Sequence, residues 1–211
     1  MKAVIISGGR APSLELVKSE LINCSLLICG DSGANCLKEY KIEPNYLIGD
    51  FDSVKPNVLE YFKSKNCIIE NYPEDKDFTD TYLCMEKALS NGADEIALLG
   101  CTGTRIDHIL GNIGLLLKCL KNGAKAYIKD DNNTIFIIDK PIVLRKTHAK
   151  YFSVYAYSEV VECLTIKNAK FPLTKYNLSI GDPLTISNEF VDGDIIIEFK
   201  SGLLLVMICK D

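Results

Sequence analysis

The pattern of hydrophobic and polar positions differs between the first and second parts of the chain. Up to about residue 125, short runs rich in β-branched residues alternate with longer amphipathic stretches, a pattern typical of a parallel sheet with crossover helices. The short runs predict strands at 3–7, 26–30, 46–49, 67–70 and 95–99. The amphipathic stretches predict helices at 12–22, 33–40, 55–65, 79–91 and 107–121.

Beyond about residue 125, strand-like runs follow one another with turn signals between them. Strands are predicted at 125–129, 134–138, 142–145, 152–157, 160–166, 184–187, 194–199 and 203–209. This half predicts an antiparallel β-sandwich. The predicted fold class is therefore α/β: an N-terminal parallel-sheet α/β/α domain at 1–125, a bridging segment at 126–141 that could join either sheet, and a C-terminal antiparallel β-sandwich domain at 142–211.

Composition narrows the class of protein. The 211 residues are 47% hydrophobic, which is ample for a buried core. The net charge of −4, with no basic run, disfavours a nucleic-acid binder. No apolar run reaches membrane-spanning length and no signal-like segment opens the sequence, so we expect a cytoplasmic protein without a membrane partner. The nine cysteines show no C-x-x-C spacing, which favours reduced core residues.

Two carboxylates follow the third predicted strand, in Gly49-Asp50-Phe51-Asp52-Ser53. In an extended chain, residues two apart point to the same side, so Asp50 and Asp52 are expected to converge. Carboxylates that close repel each other unless a cation lies between them. Oxygen ligands of this kind suit Mg²⁺, which completes its coordination with phosphate and water.

Polar clusters also follow the other predicted strands of the first half. They are Ser7-Gly8-Gly9-Arg10, Gly30-Asp31-Ser32-Gly33-Ala34-Asn35, the acidic run at 75–80 and the segment at 100–108. Because parallel sheets bind ligands at the carboxyl ends of their strands, we expect these loops to form one site. Arg105 supplies a positive fork suited to phosphate. Metal ligands, an arginine and glycine-lined backbone together indicate phosphoryl transfer.

Simpler structural roles remain open for single members of this set. Gly8 and Gly9 could form a tight turn, and Asp77 or Asp107 could cap the helix that follows it. His108 at a helix start could be a hydrogen-bonded structural residue.

The motifs together resemble the thiamin pyrophosphokinases in their shorter bacterial form. The resemblance rests on the acidic loop above and on Lys76-Asp77-Phe78-Thr79-Asp80-Thr81, Gly103-Thr104-Arg105-Ile106-Asp107-His108 with Asn112, and Ser187-Asn188-Glu189-Phe190, in family order along nearly the whole chain. It implies transfer of a diphosphoryl group from ATP to the hydroxyl of thiamin, giving thiamin diphosphate and AMP. It also implies homodimers with composite active sites.

The resemblance implies roles for individual residues. Mg²⁺ would be bound by Asp50, Asp52 and Asp80, which with Arg105 would carry catalysis. The ATP site would be lined by Gly9, Asp31, Asn35, Asp77, Thr79, Asp107 and His108. Ser187 and Asn188 would hold thiamin in the sandwich domain. Ser32 and Thr104 stand where the family has glycine, and Ser32 is expected to narrow its loop.

Three alternatives stay open at this point. One is another Mg²⁺-dependent diphosphokinase, for example one that acts on a pterin alcohol. The second is a catalytically silent ATP-binding sensor, although binding alone needs fewer carboxylates than this chain has. The third is a carboxylate-metal nuclease, which the absence of a basic run disfavours.

Overall fold

The computed structural model describes residues 1–210, which separate into two units, Met1–Asp131 and the residues from Asn132 onward. The division falls inside the segment 126–141, which the sequence left open between the two halves. No helix within residues 1–210 has the length and apolar character that crossing a membrane would require.

The first unit alternates strands and helices. Its strands are β1 (Lys2–Ile6), β2 (Cys24–Gly30), β3 (Tyr46–Gly49), β4 (Ile68–Asn71), β5 (Glu95–Leu99) and β6 (Lys125–Lys129). Its helices are α1 (Leu14–Glu20), α2 (Gly33–Tyr40), α3 (Pro56–Lys63), α4 (Asp80–Ser90) and α5 (Ile106–Lys121). Every element predicted for this half is confirmed, with ends that differ by at most two residues.

The strands of the first unit lie in the order β6-β5-β1-β2-β3-β4, and all pairs are parallel. The chain winds outward from β1 in one direction through β4 and then resumes on the other side with β5. Open parallel sheets bind ligands at such a reversal, beyond the carboxyl ends of the strands. Here backbone hydrogen bonds join the loops after β1 and β5: Gly9 N donates to Gly100 O at 2.8 Å, and Arg10 N donates to Thr102 O at 2.6 Å.

Helix boundaries in the first unit follow local side-chain chemistry. Ser13 Oγ accepts a hydrogen bond from Leu16 N at 3.2 Å and caps α1, and Pro56 begins α3. The strands β1, β2, β3 and β5 are buried almost throughout, because helices cover both faces of a parallel sheet. Five cysteines are buried in the first unit as free thiols, namely Cys29, Cys36, Cys84, Cys101 and Cys119, whereas Cys163 is exposed and does not fit the predicted core position.

The second unit consists of strands. They are β7 (Asn133–Ile138), β8 (Ile142–Leu144), β9 (Tyr151–Ala156), β10 (Val160–Lys167), β11 (Leu173–Ser179), β12 (Asn188–Glu189), β13 (Ile195–Glu198) and β14 (Leu204–Cys209). Antiparallel pairing gives the orders β12-β9-β14-β7 and β11-β10-β13-β8. Phe152 and Val206 from the first set share one core with Leu164 and Ile197 from the second. The predicted sandwich is confirmed.

One strand predicted in this unit was wrong, and the strand Leu173–Ser179 was not predicted. Segment 184–187 is a turn, since Ile186 N bonds back to Pro183 O at 3.1 Å. The strand Leu173–Ser179 was missed because its residues are mostly polar and exposed, and Leu178 is its buried position. An edge strand with so little apolar pattern gives a weak sequence signal.

Candidate active site

Three carboxylates converge at the carboxyl edge of the first unit's sheet. Asp31 follows β2, and Asp50 and Asp52 follow β3; one oxygen from each lies within 4.8 Å of the others. Asp31 N donates to Ile48 O at 2.9 Å, which ties the Asp31 loop to the neighbouring strand. Adjacent strands therefore bring together residues that are about twenty positions apart. We call Asp31, Asp50 and Asp52 the acidic triad.

The convergence of Asp50 and Asp52 was predicted, but the predicted cause was wrong. The chain is not extended there, because Phe51 has a left-handed backbone with φ 66°. Asp52 N donates to Asp50 Oδ1 at 3.2 Å across this turn. A left-handed residue with a side chain costs about 1 to 2 kcal/mol. The Phe51 side chain packs against the core cluster of the first unit, and that contact helps to hold the turn.

Asp31 is the most constrained member of the acidic triad. Its Oδ1 is buried and has no hydrogen-bond partner among residues 1–210. Burial raises the pKa of Asp31, and the negative charges of Asp80, Asp52 and Asp50 raise it further. A buried oxygen left unpaired among like charges is unfavourable. The donor set therefore fits a hard divalent cation such as Mg²⁺.

Asp80 joins this region through a lysine that the sequence analysis did not select. Lys76 Nζ lies 2.7 Å from Asp50 Oδ2 and 3.1 Å from Asp80 Oδ1. The hydrogen bond from Lys76 holds the pKa of Asp50 below its usual range, while burial raises the pKa of Asp80. Asp80 is predicted among the metal ligands, and the three carboxylates whose oxygens lie within 4.8 Å of one another are Asp31, Asp50 and Asp52. The sequence feature that could have pointed to Lys76 is that it is the one basic residue among the acidic residues of segment 74–80.

Asn35 braces the loop of the acidic triad. Its Oδ1 accepts a hydrogen bond from Lys55 N at 3.2 Å, and its Nδ2 donates to Ser53 O at 3.4 Å. Both atoms of the amide therefore connect α2 to the segment that follows Asp52. The family resemblance implies a place for Asn35 in the ATP site, and the hydrogen bonds of its side chain in the structure are to this loop.

Glycine at position 9 is required by the close approach of two loops. A Cβ there would lie 2.3 Å from Thr102 O and 2.5 Å from Gly100 O. The Ser32 hydroxyl donates to Gly8 O at 3.4 Å, and a Cβ at Gly8 would lie 2.2 Å from Ser32 Oγ. Ser32 therefore narrows the space beside Gly8, as expected from its side chain.

Arg105, Asp107 and His108 form a local group at the start of α5. The Arg105 guanidinium donates to both Asp107 oxygens, with Nη2–Oδ2 at 2.6 Å and Nε–Oδ1 at 3.2 Å. These bonds lower the pKa of Asp107 to about 2. His108 N donates to Asp107 Oδ1 at 3.0 Å, and the His108 side chain is exposed. The exposed guanidinium is thus held by Asp107 at the protein surface.

The capping interpretation of Asp77 was wrong. Thr79 is the residue before α4, and its side-chain oxygen accepts a hydrogen bond from Tyr82 N at 3.2 Å. Asp77 is exposed two residues earlier. The hydroxyl of Thr79 therefore caps α4. The Asp77 carboxylate does not cap the helix and lies at the surface.

Ser187 and Asn188 lie in the second unit and differ in their environment. Asn188 is 4% exposed; its Oδ1 accepts from Phe171 N at 3.1 Å and Glu189 N at 2.9 Å, and its Nδ2 donates to Phe171 O at 2.8 Å. Ser187 is exposed, with a left-handed backbone at φ 59°. Its amide donates to Ser153 Oγ at 2.9 Å. The polar atoms of the Asn188 side chain are thus all hydrogen-bonded to the backbone of Phe171 and Glu189, whereas the Ser187 side chain is accessible to solvent.

Comparison with known proteins agrees with the two units. A family model for the catalytic domain of thiamin pyrophosphokinase matches residues 17–128, and one for the vitamin B1 binding domain of thiamin pyrophosphokinase matches residues 140–204. The chain belongs to the thiamin pyrophosphokinase family. A thiamine pyrophosphokinase of Bacillus subtilis is 30% identical over 214 residues, with 100% of both chains covered.

Solved structures of thiamin pyrophosphokinases share the fold. The crystal structure of the Bacillus subtilis protein gives a TM-score of 0.90 at 28% identity and covers 100% of each chain. That of the Geobacillus thermodenitrificans protein gives 0.87 at 29% identity, covering 100% of this chain and 98% of that one. As a thiamin pyrophosphokinase, the chain is an ATP-dependent transferase that diphosphorylates thiamin.

Proposed function

We propose that this family member makes thiamin diphosphate and AMP at the acidic edge of its first unit, with Mg²⁺ as the cofactor. The observation that carries the proposal is the acidic triad with its buried, unpartnered Asp31 oxygen. Asp31, Asp50 and Asp52 would hold the cation, with Asp80 beside them through Lys76. When bound, Mg²⁺ would neutralise charge on the phosphate oxygens.

The remaining residues of this edge would bind and orient ATP. Arg105 presents an exposed guanidinium suited to a phosphate. Asp77, Asp107 and His108 are also exposed and would line the nucleotide, while Gly9 would set the shape of the loop beside it.

The reaction forms a bond between the thiamin hydroxyl oxygen and the β-phosphorus and breaks the bridge to the α-phosphate, which leaves as AMP. A loose transition state needs the hydroxyl to be oriented more than deprotonated early, so a carboxylate of this edge can accept its hydrogen bond. The proton of the hydroxyl then passes to that carboxylate or to water.

Thiamin would be held by the second unit. The match to a vitamin B1 binding domain supports this assignment. The exposed Ser187 hydroxyl would contact the substrate, and Asn188 would fix the local backbone through its bonds to Phe171 and Glu189. The proposal includes homodimers with composite active sites, as the family resemblance implies. Buried free thiols support a reducing location, and we propose the cytoplasm.

The test is a product analysis with purified protein, Mg²⁺, ATP and thiamin. Equal amounts of AMP and thiamin diphosphate are expected, with none formed in excess EDTA. ADP with thiamin monophosphate would contradict transfer of a diphosphoryl group. AMP formed with a pterin alcohol but not with thiamin would favour the other diphosphokinase, and ATP binding without turnover would favour the sensor.

A further inference from the structure

Lys76 is a counter-ion that lies between Asp50 of the acidic triad and Asp80. Its side chain is 11% exposed, and its ammonium lies 2.7 Å from Asp50 and 3.1 Å from Asp80. The segment that carries it is anchored by Tyr72 N, which donates to Gly49 O at 2.9 Å. The lysine therefore reaches the acidic triad from the neighbouring strand-to-helix loop.

The charges at this edge are unbalanced without a cation. Asp31, Asp50, Asp52 and Asp80 can each bring a negative charge, and Lys76 supplies one positive charge in contact with two of them. Like charges at these separations repel strongly in a partly buried site. Lys76 thus stabilises the arrangement in the free protein.

Both oxygens of Asp50 are engaged in this arrangement. Oδ1 accepts from Asp52 N inside the turn, and Oδ2 accepts from Lys76 Nζ. The backbone contact is fixed by the chain, whereas the lysine is attached through a flexible stem of four carbons. When a divalent cation approaches Asp50, the lysine is the partner that can leave.

We propose that Lys76 is a positioning residue that occupies Asp50 in the metal-free protein and competes with the divalent cation for it. Binding of the cation releases Lys76 from Asp50, while Lys76 keeps its ion pair with Asp80. This inference rests on the proposed function, because it takes the acidic triad to be the cation site.

Cation binding tests the competition directly. Mn²⁺ is titrated by calorimetry into the wild-type protein and Lys76→Gln without nucleotide. We expect Lys76→Gln to bind Mn²⁺ roughly tenfold more tightly, because a competing positive charge is gone. The matched control is Lys87→Gln, which removes another ion-paired lysine of the first unit, 2.6 Å from Glu70, and should stay within about twofold of the wild type. Equal or weaker binding by Lys76→Gln would overturn the proposal.

A second measurement uses the wild-type protein and does not depend on a variant that folds. Lysines are acetylated briefly with and without Mn²⁺, and modification at Lys76 and Lys87 is quantified by mass spectrometry. Mn²⁺ should raise the labelling of Lys76 several-fold and leave Lys87 unchanged. Unchanged labelling of Lys76 at saturating Mn²⁺ also contradicts the proposal.

Failure here is distinguishable from failure of the proposed function. If neither wild type nor Lys76→Gln binds Mn²⁺, and the assay with ATP and thiamin gives no product, the cation site and this inference fall together. If Mn²⁺ binds and product forms, but affinity and labelling are insensitive to Lys76, this inference alone is wrong.

Discussion

The side-chain oxygen of Asn35 accepts a hydrogen bond from the backbone amide of Lys55 at 3.2 Å. Through this bond and the weaker one to Ser53, α2 holds the far end of the loop that carries Asp50 and Asp52. A residue without a carboxylate thereby helps to position the loop that carries two carboxylates. The structure assigns to Asn35 the support of the acidic triad.

Replacing Asn35 by alanine should weaken cation use more than folding. Asn35→Ala frees the loop, so we expect the Mg²⁺ concentration for half-maximal turnover to rise about tenfold, the usual scale for groups that orient metal ligands. Asn91→Ala is the matched control, since Asn91 also donates to a backbone oxygen, that of Lys87 at 2.7 Å, but at the end of α4. A half-maximal Mg²⁺ concentration equal in both variants would contradict the bracing role.

Asp52→Ala should abolish activity with little effect on stability. Asp52 is exposed, and its side chain contacts the Ser53 hydroxyl at 2.8 Å, so folding depends little on it. We expect turnover to fall by at least about a hundredfold and Tm to change by less than about 2 °C. Asp75→Ala removes an exposed carboxylate from the loop between β4 and α4, and this variant should keep near-normal turnover. A folded Asp52→Ala protein with normal turnover would remove Asp52 from the site.

Two glycine substitutions should act in opposite directions. Gly9→Ala places a methyl group 2.3 Å from Thr102 O, so we expect a loss of about 2 to 3 kcal/mol in the free energy of unfolding. Gly114→Ala meets no atom within 4 Å and lies inside α5, so it should gain about 0.5 to 1 kcal/mol. Urea unfolding followed by circular dichroism compares them, and similar values for both would refute the close approach of the loops.

Ser187 and Asn188 should separate substrate binding from stability. Asn188→Ala leaves Phe171 N and O and Glu189 N without their bonds, so we expect a loss of about 2 to 3 kcal/mol in unfolding free energy. Ser187→Ala should leave stability nearly unchanged and raise the KM for thiamin about fivefold to tenfold, the scale of one hydrogen bond. If Ser187→Ala leaves the KM for thiamin unchanged, Ser187 does not contact the substrate.

A buried carboxylate remote from the acidic triad should set the acid stability of the first unit. Glu20 is 5% exposed and accepts hydrogen bonds from Lys129 at 2.6 Å, Tyr127 at 2.6 Å and Lys2 at 2.9 Å. Burial acts to raise its pKa, but these bonds outweigh burial and lower it from 4.5 to about 2. A depressed pKa adds stability above the unfolded value, and that stability is lost as the pH falls from 4.5 towards 2.

The expected contribution of Glu20 at neutral pH is about 3 kcal/mol. Urea midpoints between pH 7 and about pH 3 should fall less steeply for Glu20→Gln than for the wild type, and the variant should be less stable at neutral pH. Glu15→Gln, an exposed position on the same helix, is the control and should follow the wild-type profile. Parallel profiles for wild type and Glu20→Gln would contradict the assignment.

Much of the first unit was predictable because its signals are periodic and local. The helix Gly33–Tyr40 and the strands Tyr46–Gly49 and Glu95–Leu99 match their predicted bounds. The edge at which the polar residues gather followed from the rule for parallel sheets. What could not be predicted depends on contacts between loops, such as the bond from Lys76 to Asp50 across 26 positions.

In the second unit, too, contacts between residues far apart in the sequence could not be predicted. Asn188 belongs to a motif of polar residues to which the family resemblance assigns a contact with thiamin. Its burial follows from pairing with Phe171, which lies 17 positions away. The turn at 184–187 has apolar residues with strand-like propensity, yet Leu184 and Ile186 are exposed. In such segments tertiary contacts override local preference.

The position of β4 at the edge of the sheet has a consequence for local opening. This strand pairs on one side with β3 and has the exposed Ile68 at its start. The loop that brings Lys76 to Asp50 leaves directly from its far end. Edge strands tend to exchange their amide hydrogens through partial unfolding long before the whole domain opens. An opening of β4 would draw the loop of Lys76 away from the acidic triad, so we expect the ion pair of Lys76 and Asp50 to last only while the last strand of the sheet stays paired.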